Sequence, residues 1–264
     1  MHEGSKQQSD KYPDGGTSAW LVVLGAWCAM VPCMGLLNSL AILQAQVTKK
    51  ELHGMRKSTT GWIFSTHAFF LYFCGAQVGP IFDAYDVKYL VIPGTVGMVV
   101  SLVSLSFSNE FYQFLLSFGV LGGISASLLF NPRVAVIGHW FRMRRALATG
   151  VACTAGGLGG IAFPLIILYL APTLGFAWSI RIIALVCGML GTAACFLLRQ
   201  RLPPNVALGR SIDLKALRDL KFAATTLGVF LVEFAVFIPY TYICSYAFYS
   251  KFGFEEAYRL NVFL

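Results

Sequence analysis

An arginine, a glutamate and a histidine stand inside otherwise apolar stretches of this 264-residue chain, and through them it could do chemistry. Glu233 follows Lys221 by twelve residues, about 18 Å along a helix at 1.5 Å per residue, near the middle of an apolar run over 222–248. Arg133 comes after Asn131 and Pro132, late in a run over 112–138, about 8 Å from its end by the same rise. A charge at the centre of a membrane helix costs about 2.5–3.5 kcal/mol even on the insertion scale, so such residues usually line a cavity or pair with one another. Glu233 therefore reads as a proton carrier and Arg133 as the counter-charge of an anion, both facing water. The bland alternatives are a structural ion pair for Glu233 and a lipid-edge arginine for Arg133, whose side chain can snorkel. His67 is alone in its run and reads as a hydrogen-bonded packing residue; Arg181 reads as interfacial.

Nothing else suggests catalysis. His2, His53, His67 and His139 are dispersed, no Gly-x-Ser-x-Gly or phosphate-binding loop occurs, and no nucleophile, base and orienting group converge. The seven cysteines all fall inside apolar runs, without a Cys-x-x-Cys pair or a histidine at ligand spacing, so they read as packing residues. No metal, cofactor or enzymatic activity is expected. The net charge of +8 comes from Lys and Arg in the gaps between apolar runs, which fits loop decoration on one side of a membrane better than nucleic-acid binding.

The elements that must position these residues are helices in a bilayer. The chain is 57% hydrophobic and 12% charged, with mean hydropathy +0.68, against about 25% charged residues in soluble domains. About 20 apolar residues cross the hydrocarbon, and seven runs approach or exceed that length: 18–44, 61–82, 89–107, 112–138, 146–172, 178–198 and 222–248. The fold class is an all-α membrane protein. Residues 1–17 form a polar tail, 18–198 a six-helix bundle, 199–221 a charged central loop with Pro203 and Pro204, and 222–264 helix seven and the beginning of another helix. The tail and the length of the first run argue against a cleaved signal. With the N-terminus in the cytoplasm, twelve Lys and Arg fall inside against six outside, the orientation that the positive-inside bias favours. The last apolar stretch, from Tyr258, is too short to span, so the chain is expected to be truncated.

Two groups of small or charged residues add to this. Ala148, Ala152, Gly156 and Gly160 recur every four residues, with Gly150, Gly157 and Gly159 beside them, and make one small helical face against which another helix can pack closely. That face suits static packing or a sliding interface. Trp140, Phe141, Arg142, Met143, Arg144 and Arg145 form an aromatic pair and a basic cluster suited to an interface. Gly79, Pro80 and Asp83 come together where the second run leaves the membrane.

Asp14, Gly15 and Gly16 ahead of Trp20, and the series Asn131, Pro132, Trp140, Phe141, Arg144, Arg145, Leu147, Ala148, Gly150 and Gly156, resemble the two signatures of the monocarboxylate transporter family within the major facilitator superfamily. Phe82, Asp83, Ala84 and Tyr85 resemble its fungal branch. The resemblance covers roughly the first seven of that family's twelve helices and implies two bundles that rock about a central cavity. It also implies that Gly79, Asp83 and the small face of the fifth helix engage the second bundle. Asn38 stands where animal lactate carriers have lysine, so their lysine-centred mechanism does not carry over; Asn38, Arg133 and Glu233 remain as cavity candidates. The implied function is passage of a small organic acid or related metabolite by alternating access, with or without protons. Export of a secondary metabolite is the nearest alternative, and a truncated, non-transporting protein that pairs with another chain is the other. The expected partners are the bilayer, a small-molecule substrate and, for a short chain, a second copy; the expected location is the plasma membrane.

Overall fold

A computed structural model describes residues 13–52, 54–201 and 218–249, except the side chains at 49, 50, 57, 83, 233, 234 and 237–249. The helices are α1 (Thr17–Asn38), α2 (Lys57–Ala84), α3 (Lys88–Leu105), α4 (Phe111–Trp140), α5 (Arg145–Leu174), α6 (Phe176–Leu197) and α7 (Leu220–Tyr249). Each apolar run contains one long helix, and the first carries a short second one. Five of them, α1, α3, α4, α5 and α6, are long and apolar enough to cross a membrane among the described residues. Helix α2 has 28 residues, ample for about 30 Å of hydrocarbon, but its apolar character is diluted by Ser, Thr, Gln77 and His67. Two of these polar residues, Thr60 and His67, are buried.

Helix α1 is the hub. It carries no charged residue, is the most buried of the five spans and packs against α4, α5 and α6; α3 joins α4 to α6, and α2 lies against α4. The sequence run over 18–44 is broken at Ser39, whose hydroxyl donates to the Gly35 carbonyl at 2.6 Å. Such back-bonding competes with the helical ladder, and the chain continues in a second short helix, Leu40–Gln46, with a π turn over Val47–Glu51. Helix α7 packs on Leu40–Gln46.

Lipid supplies no hydrophobic drive between helices, so close backbone contact must hold them. Where α1 crosses α5, a Cβ on Gly159 would lie 2.7 Å from the Gly35 Cα and 3.0 Å from the Val31 carbonyl oxygen. Helix α4 has a π segment, Leu115–Gly122, which disturbs the regular pairing of backbone groups. Neighbouring side chains meet it: the Ser101 hydroxyl donates to the Ser117 carbonyl at 2.8 Å, and His67 Nδ1 lies 3.0 Å from the Phe118 carbonyl. The His67 ring also stacks on Phe118, with centroids 4.5 Å apart. His67 thus has the packing role expected of it.

Candidate functional site

Arg133 is the charge that the bundle encloses. It is 1% exposed and sits one residue after Pro132, which cannot donate to the helical ladder. Its Nε donates to the Phe130 carbonyl at 2.7 Å, and its guanidinium lies 4.1 Å from the Phe130 ring centroid. Among the described residues Nη1 and Nη2 have no hydrogen-bond partner. A buried cation needs an acceptor for each donor it withdraws from water, and among those residues the N–H groups of both terminal nitrogens are unmatched. The lipid-edge alternative is thereby excluded. Phe130 escaped the sequence reading, although an aromatic three residues before an arginine on a helix shares its face.

Asn38 is tied elsewhere: its Nδ2 donates to the Gly156 carbonyl at 3.0 Å, joining the end of α1 to α5. Glu233 falls within the α7 backbone and Asp83 within α2, but both side chains lie outside the described residues. A Cβ on Gly79 or Gly150 would meet nothing within 4 Å. On the small face of α5, Ala148, Ala152, Gly156 and Gly160 are buried, and added Cβ atoms at Gly156 and Gly160 would press on Met34 and Asn38 of α1 at 3.1 and 2.8 Å. Gly156 and Gly160 thus pack α5 against α1. The four-residue spacing identified a close-packed face, and spacing carries no information about which helix meets it.

The two signatures, far apart in sequence, meet at one end of the bundle. Asp14 has φ +49°, a left-handed conformation that Asp tolerates better than most residues. Its backbone N–H donates to the Trp140 carbonyl at 3.1 Å. Its Oδ1 accepts from the backbone N–H groups of Arg142 at 2.5 Å, Met143 at 2.8 Å and Arg144 at 3.5 Å. Alongside, the Trp20 ring meets Phe141 edge-on at 5.5 Å, and Trp140 Nε1 donates to the Arg199 carbonyl at 2.9 Å. Arg144 and Arg145 remain exposed beside this latch. Partial desolvation raises the Asp14 pKa, but the three N–H donors and the charge of Arg144 outweigh it, so the carboxyl titrates below its usual range. The sign follows: a depressed folded pKa stabilises above the unfolded value and is lost only as pH falls through the lower one. The latch should therefore hold from neutral pH down to below about 3.9, the ordinary Asp value. Asp14→Ala is expected to speed hydrogen exchange at the amides of Arg142, Met143 and Arg144, while Asp14→Asn, which keeps an acceptor, should speed it less. Unchanged exchange in Asp14→Ala would show that the amides are held by something else.

Among the described residues no group of three His, Cys, Asp or Glu side chains could hold a metal ion. The model of the family described as Major Facilitator Superfamily matches residues 19–264. The chain is 40% identical over 247 residues to the MFS-type transporter pytF of Aspergillus terreus, covering 93% of this chain and 83% of that protein. It is 35% identical over 244 residues to the fujikurins efflux protein of Gibberella fujikuroi, covering 91% of this chain and 52% of that one. Apart from pytF, it spans about half the length of the curated relatives it matches. Among solved structures, a crystal structure of the peptide transporter POT in complex with sulfate superposes with TM-score 0.61 at 14% identity, covering 89% of this chain and 50% of that one. That likeness concerns the fold alone.

Proposed function

The chain belongs to the major facilitator superfamily, and on that premise we propose that it forms the first helix bundle, with the start of a second, of a transporter that moves a small organic anion by alternating access. The observation that supports the anion is Arg133, a buried guanidinium whose two terminal nitrogens lack acceptors among the described residues. A carboxylate is their natural complement, because its two oxygens match the guanidinium fork. A monocarboxylate and a larger acidic metabolite both satisfy that chemistry. Outward transport of a secondary metabolite is the second reading, supported by the likeness to the fujikurins efflux protein of Gibberella fujikuroi. The excess of basic residues in one set of loops supports a cytoplasmic N-terminus, and the plasma membrane is the proposed location.

The test is flux into proteoliposomes carrying the chain, with a panel of carboxylic acids set against their methyl esters. Transport of acids and not esters is the expected result; esters carried as well as acids would sink the anionic reading, and flux of neither would sink transport by this chain. Glu233 is the proposed proton carrier, being the carboxylate placed about halfway along α7. Glu233→Gln should abolish stimulation of uptake by an inward proton gradient while leaving substrate exchange at equal pH in place. Gradient stimulation that survives the substitution removes Glu233 from the proton path.

A further inference from the structure

The groove between α3 and α6 lies away from Arg133 and has no part in the proposed transport. It has a volume of about 600 Å³, its walls come from Val99, Val103, Leu185, Gly188 and Met189, and Arg181 lies along it. Gly188 opens the floor: a Cβ there would come 3.2 Å from Val99. Leu185 is 64% and Met189 59% exposed, so the described chain leaves these walls uncovered.

Arg181 is held in place and incompletely matched. Its Nε donates to the Ser106 hydroxyl at 3.1 Å, and its guanidinium lies 4.5 Å from the Phe107 ring and 4.9 Å from the Trp178 ring. Among the described residues no other hydrogen-bond partner meets this guanidinium. Trp178 belongs to the residue class that marks the membrane–water boundary. Arg181 lies five residues into α6, and from it to Thr192, the far lining residue, the helix rises about 16 Å. One leaflet of a bilayer with about 30 Å of hydrocarbon has that depth.

We propose that this groove is a phospholipid site: the phosphodiester of a glycerophospholipid pairs with Arg181 and one acyl chain lies along Val103, Val99, Leu185 and Met189. The charge, the aromatic rim and the depth all fit an amphiphile standing in one leaflet. A second protein helix fits less well, because an apolar helix laid in the groove would leave the guanidinium without an anion. The phosphodiester is common to all glycerophospholipids, so the site requires no net anionic lipid.

The test uses the full chain in phosphatidylcholine nanodiscs doped with a phosphatidylcholine carrying a photoactivatable group on its acyl chain, and in parallel with the diacylglycerol of the same chain. Labelled peptides are read by mass spectrometry. The phosphatidylcholine probe should label the groove walls about fivefold or more above the diacylglycerol probe, the effect expected of one charge-assisted contact. Arg181→Gln should reduce phosphatidylcholine labelling to the diacylglycerol level, with labelling of α1 unchanged. Equal labelling by the two probes, labelling insensitive to Arg181→Gln in a folded protein, or no labelling of the groove would each overturn the site. If Arg181→Gln fails to fold, the comparison of the two probes on the unsubstituted chain decides alone.

Discussion

Arg133→Gln should lower apparent substrate affinity by about 30-fold to several thousand-fold. Truncating one partner of a buried, hydrogen-bonded charge pair costs about 2–5 kcal/mol, and each 1.4 kcal/mol is about a factor of ten. The measurement is substrate-dependent flux in proteoliposomes, with Arg133→Lys as the intermediate case, since lysine keeps the charge and loses the fork. Stability should move the other way. The guanidinium is buried and, among the described residues, its two terminal nitrogens meet no acceptor, so Arg133→Leu should be neutral or stabilising by about 1–4 kcal/mol, as found when buried ion pairs give way to apolar groups of similar size. A structural role predicts the opposite, a loss of about 3–5 kcal/mol on breaking a buried pair. Thermal unfolding of Arg133→Leu thus separates a binding arginine from a scaffold arginine without knowledge of the substrate. A large drop in melting temperature would remove Arg133 from the proposed site.

The second large effect lies where α1 crosses α5. Gly159→Val should destabilise the bundle by at least the 1–3 kcal/mol typical of overpacking, because even the first added carbon meets the Gly35 Cα at 2.7 Å and no flexible side chain is there to yield. Gly35→Val should do the same, its Cβ meeting the Gly159 Cα at 2.8 Å. Gly157→Ala is the control: its Cβ would meet nothing within 4 Å, and replacing glycine by alanine inside a helix gains about 0.5–1 kcal/mol. Size-exclusion profiles and thermal melts in detergent measure all three. A Gly159→Val protein as stable as the parent would mean that the contact between α1 and α5 is looser than the Cα positions imply. Because Gly156 and Gly160 share that interface, their effects would not add simply to that of Gly159.

These predictions separate what the chain order discloses from what it conceals. Apolar length disclosed the helices, because a bilayer demands about 20 apolar residues whatever their partners. Glycines every four residues on α5 disclosed a tight contact. The identity of the partner helix was hidden: Gly35 stands 124 residues from Gly159, and nothing local to either names the other. The cost of intramembrane charge singled out Arg133, but whether its guanidinium would be paired, snorkelled or left with unmatched donors depended on α1 and α5 closing around it. Asn38, a cavity candidate through the family resemblance, donates to the Gly156 carbonyl, a contact across 118 residues that its position alone does not disclose.

By itself, then, the sequence determined the class of protein, the order of the long helices among the described residues and the few residues costly enough to require a reason, because hydrophobic transfer and charge burial depend on composition along a single segment. Only the tertiary structure decided that the two signatures close on each other through Asp14, that the small face of α5 grips α1, and that Arg181 stands on an open apolar groove. Each of these depends on groups dozens of residues apart, whose meeting is set by the packing of whole helices and not by any local preference of the chain.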